Sequence, residues 1–271
     1  MPEESKEYEV MGVYSHSPKY QYQFGERTSR YRHGTYWFVR RINERNYEVQ
    51  PLNAHNIPSG VRKVVDRETF LKYYTPELEY YRNNMIPCLE SLHKKVRMGR
   101  RYFNLGRLDE AERSFCEAII MHDENVDANM GLGGVYAEQR EFSKLRQLID
   151  KLVTIDEVFR EEQRHKFNAF GIDLRKRELY DDAIRFYRKA LEVNNRDEHL
   201  HFNIARAYHG KEDLEMAGQH LKLALRINPR LREAEAFLVS IRRELRNQQS
   251  DRDKEREWNR QNKKPGSISL D

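Results

Sequence analysis

The stretch YDDAIRFYRKALEVNN, residues 180–195, decides the fold. Its two alanines, Ala183 and Ala190, are seven residues apart and therefore lie on one face of a helix. Phe186 and Tyr187 place large apolar groups between them, while the neighbouring lysine and arginine fall on or near the solvated side. A face that combines small and large side chains in this way is typical of two antiparallel helices that pack closely. The stretch therefore predicts one helix of a tightly packed pair.

The same pattern returns 34 residues later, in LEMAGQHLKLALRINP at residues 214–229. Ala183 and Ala190 align with Ala217 and Ala224 at this offset. Further pairs at the same offset are Phe167 with His201, Phe170 with Ile204 and Gly171 with Ala205. Self-similarity at a fixed period of this length indicates an array of helix pairs.

This pattern resembles the tetratricopeptide repeat, which has a small residue in its first helix, two alanines in its second and often a closing proline. GRRYFNLGRLDEAERSFCEAIIMHDEN, residues 99–125, is the best match in the chain. Ala118 and Ala190 are 72 residues apart, which leaves room for one longer repeat between them. Leu145 and Leu152 replace the two alanines of that repeat, so its second helix is expected to stand farther off. The predicted repeats are residues 92–125, 126–163, 164–197 and 198–231, followed by a capping helix to residue 249.

Residues 14–75 carry a different pattern, rich in aromatic and β-branched residues. GTYWFVRRI and NYEVQPL, separated by the polar cluster NERN, predict a β-hairpin, and VRKVVDRETF predicts a third strand. The fold class expected is α+β: a small β-domain of three to five strands, for which a bent barrel is one arrangement, followed by an all-α solenoid. The remaining segments are predicted as a flexible N-terminus at 1–13, a linker helix at 76–91 capped by Thr75, and a charged, largely disordered tail at 250–271.

Several functional classes are excluded by composition and motif. No apolar run approaches the roughly 18 residues of a spanning helix, and the acidic, polar start is unlike a signal peptide, so a cytoplasmic protein is expected. The two cysteines, Cys88 and Cys116, indicate neither a disulfide framework nor a zinc site. No phosphate loop, dinucleotide fingerprint or nucleophile elbow is present. NIPSG at 56–60 is superficially like part of a cyclic-dinucleotide-binding signature, but the paired arginines are not spaced as that motif needs. We expect no enzyme activity, no cofactor, no metal and no catalytic residue.

In proteins with this repeat the first helices line a concave groove, and the resemblance places the partner-binding residues there. The positions that it implies are Arg100, Phe103, Asn104, His165, Asn168, Arg175, Phe202, Asn203, Arg206 and His209. Arginine forks and asparagine amides suit carboxylates and peptide backbone, and phenylalanines offer apolar anchors. The leading hypothesis is a non-catalytic adaptor that binds an acidic or carboxylate-bearing segment of a partner protein. The full lysine and asparagine clamp of chaperone-tail binders is not reproduced.

The stretch RTSRYRHGTYWFVRR, residues 27–41, favours an alternative in which the front domain binds nucleic acid. It interleaves basic and aromatic residues, the mixture that neutralises phosphates and stacks on bases. The candidate contacts are Arg30, Arg32, Trp37, Arg40 and Arg41. Alternation along a strand would bury half of the aromatic residues, so the needs of a hydrophobic core compete with this hypothesis. A third hypothesis is that the front domain only caps the array or mediates self-association.

Overall fold

The computed structural model describes residues 8–16, 35–160 and 163–262. It shows a mainly helical α+β chain, with an antiparallel sheet in its N-terminal part and helices in the rest of the sequence. The chain divides into two compact units, residues 1–135 and 136–271. This boundary, between residues 135 and 136, coincides with neither of the domain boundaries that the sequence predicts, at residues 75 and 91. Those two boundaries stay predictions.

The front sheet has five strands in the order β4-β3-β2-β1-β5, each antiparallel to its neighbour. The strands are β1 (Glu9–His16), β2 (Thr35–Arg41), β3 (Asn46–Pro51), β4 (Lys63–Asp66) and β5 (Tyr74–Pro76). The pairing of β2 with β3 confirms the predicted hairpin. β4 and β5 are the two edges and do not pair with each other, so the sheet is open over the residues seen here and the barrel arrangement is not formed.

Both faces of the sheet are covered, because side chains alternate along each strand. On one face Phe70, from the short helix α1 (Arg67–Tyr73), packs against Tyr14, Val39 and Tyr47. The Phe70 ring lies 4.1 Å from that of Tyr47 between centroids, at an interplanar angle of 15°. On the other face Val13 and Phe38 pack with Met85, and Tyr80, Tyr81 and Leu89 contact the same cluster. The sheet core is therefore built from aromatic and β-branched residues.

The remaining segments are helical, and a long helix follows the last of the predicted repeats. A short helix α2 (Leu78–Tyr80) and a π-helical turn (Tyr81–Met85) lead into the first pair. The helices that pack as pairs are α3 (Ile86–Asn104) with α4 (Leu108–Met121), α7 (Arg164–Lys176) with α8 (Tyr180–Val193), and α9 (Glu198–Gly210) with α10 (Leu214–Ile227). Between the first two of these pairs the chain forms α5 (Val126–Glu138) and α6 (Phe142–Leu152). The final helix is α11 (Arg232–Asn262), and a 3-10 turn at Asp156–Phe159 takes up extra length in the second repeat.

Small residues let the paired helices approach closely, as the spacing predicts. Ala183 and Ala190 are fully buried in α8. A methyl group added at Gly171 would lie 2.5 Å from the Tyr187 ring, closer than real carbon atoms approach. The first pair uses the same device, with Gly99 facing Phe115. In each of these pairs a bare backbone on the first helix makes room for a large ring on the second.

Three predicted boundaries differ from the structure. β1 begins at Glu9, inside the segment predicted to be flexible, because it pairs with β2. Thr75 lies in β5 and not at a helix N-cap, since β5 extends the sheet beside β1. α11 continues to Asn262, into the predicted tail, because no proline or glycine interrupts it there and local contacts such as Gln249 to Asp253 support it. None of the helices described is long and apolar enough to cross a membrane.

Candidate partner-binding groove

Four of the predicted groove residues come together in the second unit. Arg175, Phe202, Arg206 and His209 line one cavity of about 470 Å³. The other residues that line this cavity are Tyr180, Gly210 and Phe237. We call it the Arg175–Arg206 cavity. It combines two cationic side chains with aromatic walls.

The helical register explains why these side chains converge. Phe202, Arg206 and His209 are spaced i, i+4, i+7 and share one face of α9. Phe237 of α11 packs edge-on against two of them, with ring centroids 6.2 Å from Phe202 and 5.2 Å from His209. The Arg206 guanidinium lies 5.9 Å from the centroid of the Phe202 ring. Arg175, in the last turn of α7, completes the lining.

The two arginines of the cavity have no carboxylate partner within the described part of the chain. Burial, followed by the nearby charge of Arg206, lowers the pKa of the Arg175 guanidinium below its usual range. The Nε atom of Arg175 is buried and forms no hydrogen bond to any residue that the structure shows. His209, in contrast, is engaged, with its Nε2 3.1 Å from Glu244 Oε2. The cavity therefore presents unneutralised positive charge.

Tyr187 is a buried tyrosine whose hydroxyl interacts electrostatically with Arg175 and Arg206. The hydroxyl of Tyr187 is enclosed, and among the residues described it has no hydrogen-bond partner. Burial raises the pKa of this hydroxyl strongly, and the charges of Arg175 and Arg206 oppose that rise. The hydroxyl is therefore neutral at physiological pH and keeps its proton as a donor.

His165 and Asn168 lie at the opposite end of α7 and line a different cavity of about 630 Å³. Asp197 forms part of that lining and is 2% exposed. Its carboxylate accepts hydrogen bonds from the backbone N–H groups of His199 and Leu200, which caps α9, and it pairs with Arg164 at 2.9 Å. The charges of Asp197 and Arg164 in this second cavity are thus already paired with each other.

Asn203 and the three predicted residues of α3 are not brought into either cavity. Asn203 is 8% exposed and lies in the packing of α9. Arg100, in the first unit, forms an ion pair with Asp127 at 2.6 Å. Phe103 is half-buried beside Gly134, and Asn104 is exposed at the end of α3. Arg100 would have to leave its carboxylate partner to bind another one.

Tyr180 and Phe237 line the Arg175–Arg206 cavity without having been predicted as site residues. The sequence predicted that Phe237 lies in the capping helix, but its place beside α9 depends on how the two helices pack. Gly210 carries a clearer signal. A methyl group there would lie 2.3 Å from the Tyr180 ring, so a side chain at this position would intrude on the cavity wall.

The nucleic-acid candidates of the front sheet lie on opposite faces. Trp37 is half-buried on the face that carries Val39, with the Lys63 ammonium 5.8 Å from its ring. Arg40 lies over the Phe38 ring on the other face and pairs with Glu48 at 3.1 Å. Arg41 pairs with Glu9. Arg30 and Arg32 lie outside the described residues, and the nucleic-acid hypothesis stays a prediction.

Within the described ranges, no three His, Cys, Asp or Glu side chains are grouped closely enough to hold a metal ion. Residues 96–157 and 168–231 match the family described as tetratricopeptide repeat. Comparison with curated proteins gave no match.

Comparison with solved structures gave matches of low sequence identity. PilF of Pseudomonas aeruginosa is 16% identical over 58% of this chain and 70% of its own, with a TM-score of 0.41. A MamA chain from Desulfovibrio magneticus RS-1 is 16% identical over 64% of this chain and 98% of its own, with a TM-score of 0.41. The first TPR domain of human RPAP3 is 16% identical over 59% of this chain and 95% of its own, with a TM-score of 0.30.

Proposed function

We propose that this protein is a non-catalytic adaptor for an acidic segment of a partner protein, because residues 96–157 and 168–231 match the tetratricopeptide repeat family. Repeats of this kind typically mediate protein–protein interaction. Stacked helix pairs of a solenoid form extended concave surfaces, and such surfaces are where repeat proteins bind their partners. The bound segment carries aspartate or glutamate side chains, or another carboxylate.

The observation that carries this proposal is that Arg175 and Arg206 line the same cavity. Neither arginine has a carboxylate partner among the residues described. Burying charge without compensation is unfavourable, so a partly buried cation gains most from an anionic ligand. Phe202 and Phe237 add apolar contact area beside the charge. Aromatic and arginine side chains together are the residues that most often dominate binding energy at protein interfaces.

Peptide display on the immobilised full chain tests the proposal. We expect the selected peptides to be enriched in aspartate or glutamate next to an apolar residue, and Arg206→Glu to weaken their binding at least about tenfold. Arg226→Glu is the matched control, because Arg226 is exposed on α10 and forms no ion pair with any residue that the structure describes. Selection without preference for acidic residues, or equal binding by the Arg206→Glu protein, would show that the groove has another ligand.

A further inference from the structure

The Arg175–Arg206 cavity offers more donors than one carboxylate can accept. A guanidinium presents five N–H donors in a planar fork, and a single fork already satisfies both oxygens of a carboxylate. The cavity contains two such groups, and neither forms an ion pair with any residue that the structure describes. A ligand with one carboxylate would leave a second guanidinium uncompensated.

Two donors in this region, one of them already counted on Arg175, are buried and have no hydrogen-bond partner in the described structure. One is Arg175 Nε. The other is the Tyr187 hydroxyl, which lies against Gly171, one helical turn before Arg175 on α7. The same hydroxyl interacts electrostatically with Arg175 and Arg206, so the three groups lie in one neighbourhood. Buried donors of this kind are normally satisfied, and here neither has an acceptor among the described residues.

His209, which lines the cavity, is already in contact with a carboxylate. His209 contacts Glu244, and the other oxygen of Glu244 accepts a hydrogen bond from Ser240 at 3.0 Å. Glu244 is therefore not free to neutralise the arginines. The rest of the wall is aromatic, from Phe202, Phe237 and Tyr180. A volume of about 470 Å³ lies in the range of sites that hold a small organic group.

We propose that this cavity takes a phosphoryl group carried by the partner segment, with Arg175 and Arg206 as its two forks. The inference rests on the proposed function, because the repeat array must first hold a segment of a partner. A phosphoryl monoester carries close to two negative charges near pH 7 and three acceptor oxygens. It therefore matches two guanidinium groups, whereas one carboxylate matches a single group. The aromatic walls contact the side chain that bears the phosphoryl group.

Four small molecules that each carry a benzene ring distinguish the effect of ligand charge on binding from the effect of ligand shape. Phenyl phosphate is a dianion, phenyl sulfate has the same tetrahedral shape with one charge fewer, phthalate has two carboxylates and benzoate has one. Calorimetric titration of the full chain at low ionic strength is expected to give phenyl phosphate an affinity about tenfold above that of phenyl sulfate and benzoate, because the second charge meets the second guanidinium. Its binding is expected to strengthen as the pH rises through about 6, where the second proton leaves the phosphoryl group.

Arg175→Gln and Arg206→Gln are each expected to remove most of this preference, and Arg226→Gln on α10 serves as the control. Circular dichroism checks that each variant keeps its helices. Equal affinity for phenyl phosphate and phenyl sulfate would overturn the inference, as would tighter binding of phthalate, equal loss in the control, or no binding of any probe at millimolar concentration. If display selects unmodified acidic peptides through Arg206 while the probes show no preference, only this inference fails. If the display also fails, the proposed function fails with it.

Discussion

Ala190 is the residue that tests the helix packing most directly. It is 1% exposed, and its side chain faces the packed side of α8. We expect Ala190→Leu to destabilise the protein by about 1–3 kcal/mol, because added methylene groups in a close-packed interface force neighbours to shift. Urea unfolding followed by circular dichroism measures the change. Val193→Leu is the control, since Val193 is half exposed on the same helix and has room for a larger side chain.

If Ala190→Leu unfolds at the same urea concentration as the wild type, the close approach of these helices is wrong.

The spacing of the alanines was sufficient to predict their burial, because a period of 34 residues leaves few alternative helix faces. Ligand contacts were harder to predict from such spacing. Asn203 fits the groove register but is buried, and Arg100 fits it but is paired with Asp127. The position of a residue within the repeat predicts the direction in which its side chain points. It does not predict whether that side chain is already buried or paired with a neighbouring group.

The packing of α9 on α10 contains a histidine pair that makes this element sensitive to pH. The Nδ1 atoms of His201 and His220 are 3.2 Å apart, and His220 stacks on Tyr208, which accepts a hydrogen bond from Arg188. Burial, and then the charges of His201 and Arg188, lower the pKa of His220 to about 4. Burial also lowers the pKa of His201. Both imidazoles are therefore neutral in the folded protein at pH 7.

These directions predict that stability falls as the pH is lowered from about 6.5 towards about 4. In that window the unfolded chain binds a proton that the folded His220 does not, so protonation favours unfolding. Because the ring is only partly buried, screening limits the effect to about 1 kcal/mol. We expect His220→Gln to have a smaller loss of Tm over this range than the wild type. His165→Gln, at an exposed histidine, is the control, and an equal slope in all three proteins would contradict the prediction.

The long helix α11 shows where sequence reasoning stopped short at the level of an element. A capping helix was predicted to residue 249, and Ala234, Leu238 and Ile241 are buried in it. The highly polar residues that follow were predicted to be disordered because they have no core to pack against. Residues 251–261 are exposed, as expected, but the helix continues to Asn262. Extending a formed helix costs far less than starting one, so a polar segment without proline or glycine continues the helix that precedes it.

At the scale of the first unit, the front sheet and the first helix pair share one core. Val13 and Phe38 of the sheet pack with Met85 and Leu89, which lead into and lie within α3. The Asn53 side chain donates a hydrogen bond to the backbone carbonyl of Met121, the last residue of α4, at 2.9 Å. The sequence did not predict these contacts, because they join segments whose patterns have different periods. They support the hypothesis that the front domain caps the array.

Removal of residues 1–74 is therefore expected to destabilise α3 and α4 specifically. The deletion exposes Met85 and Leu89, and open ends of solenoids need a cap to remain soluble and folded. Amide hydrogen exchange should show protection lost in α3 and α4, by at least about tenfold in rate. A chain that ends at Gln249 is the control, because the residues it lacks are exposed wherever the structure describes them. Unchanged protection in the first pair would mean that the sheet is an independent domain, and the shared core would then contribute nothing to the stability of the array.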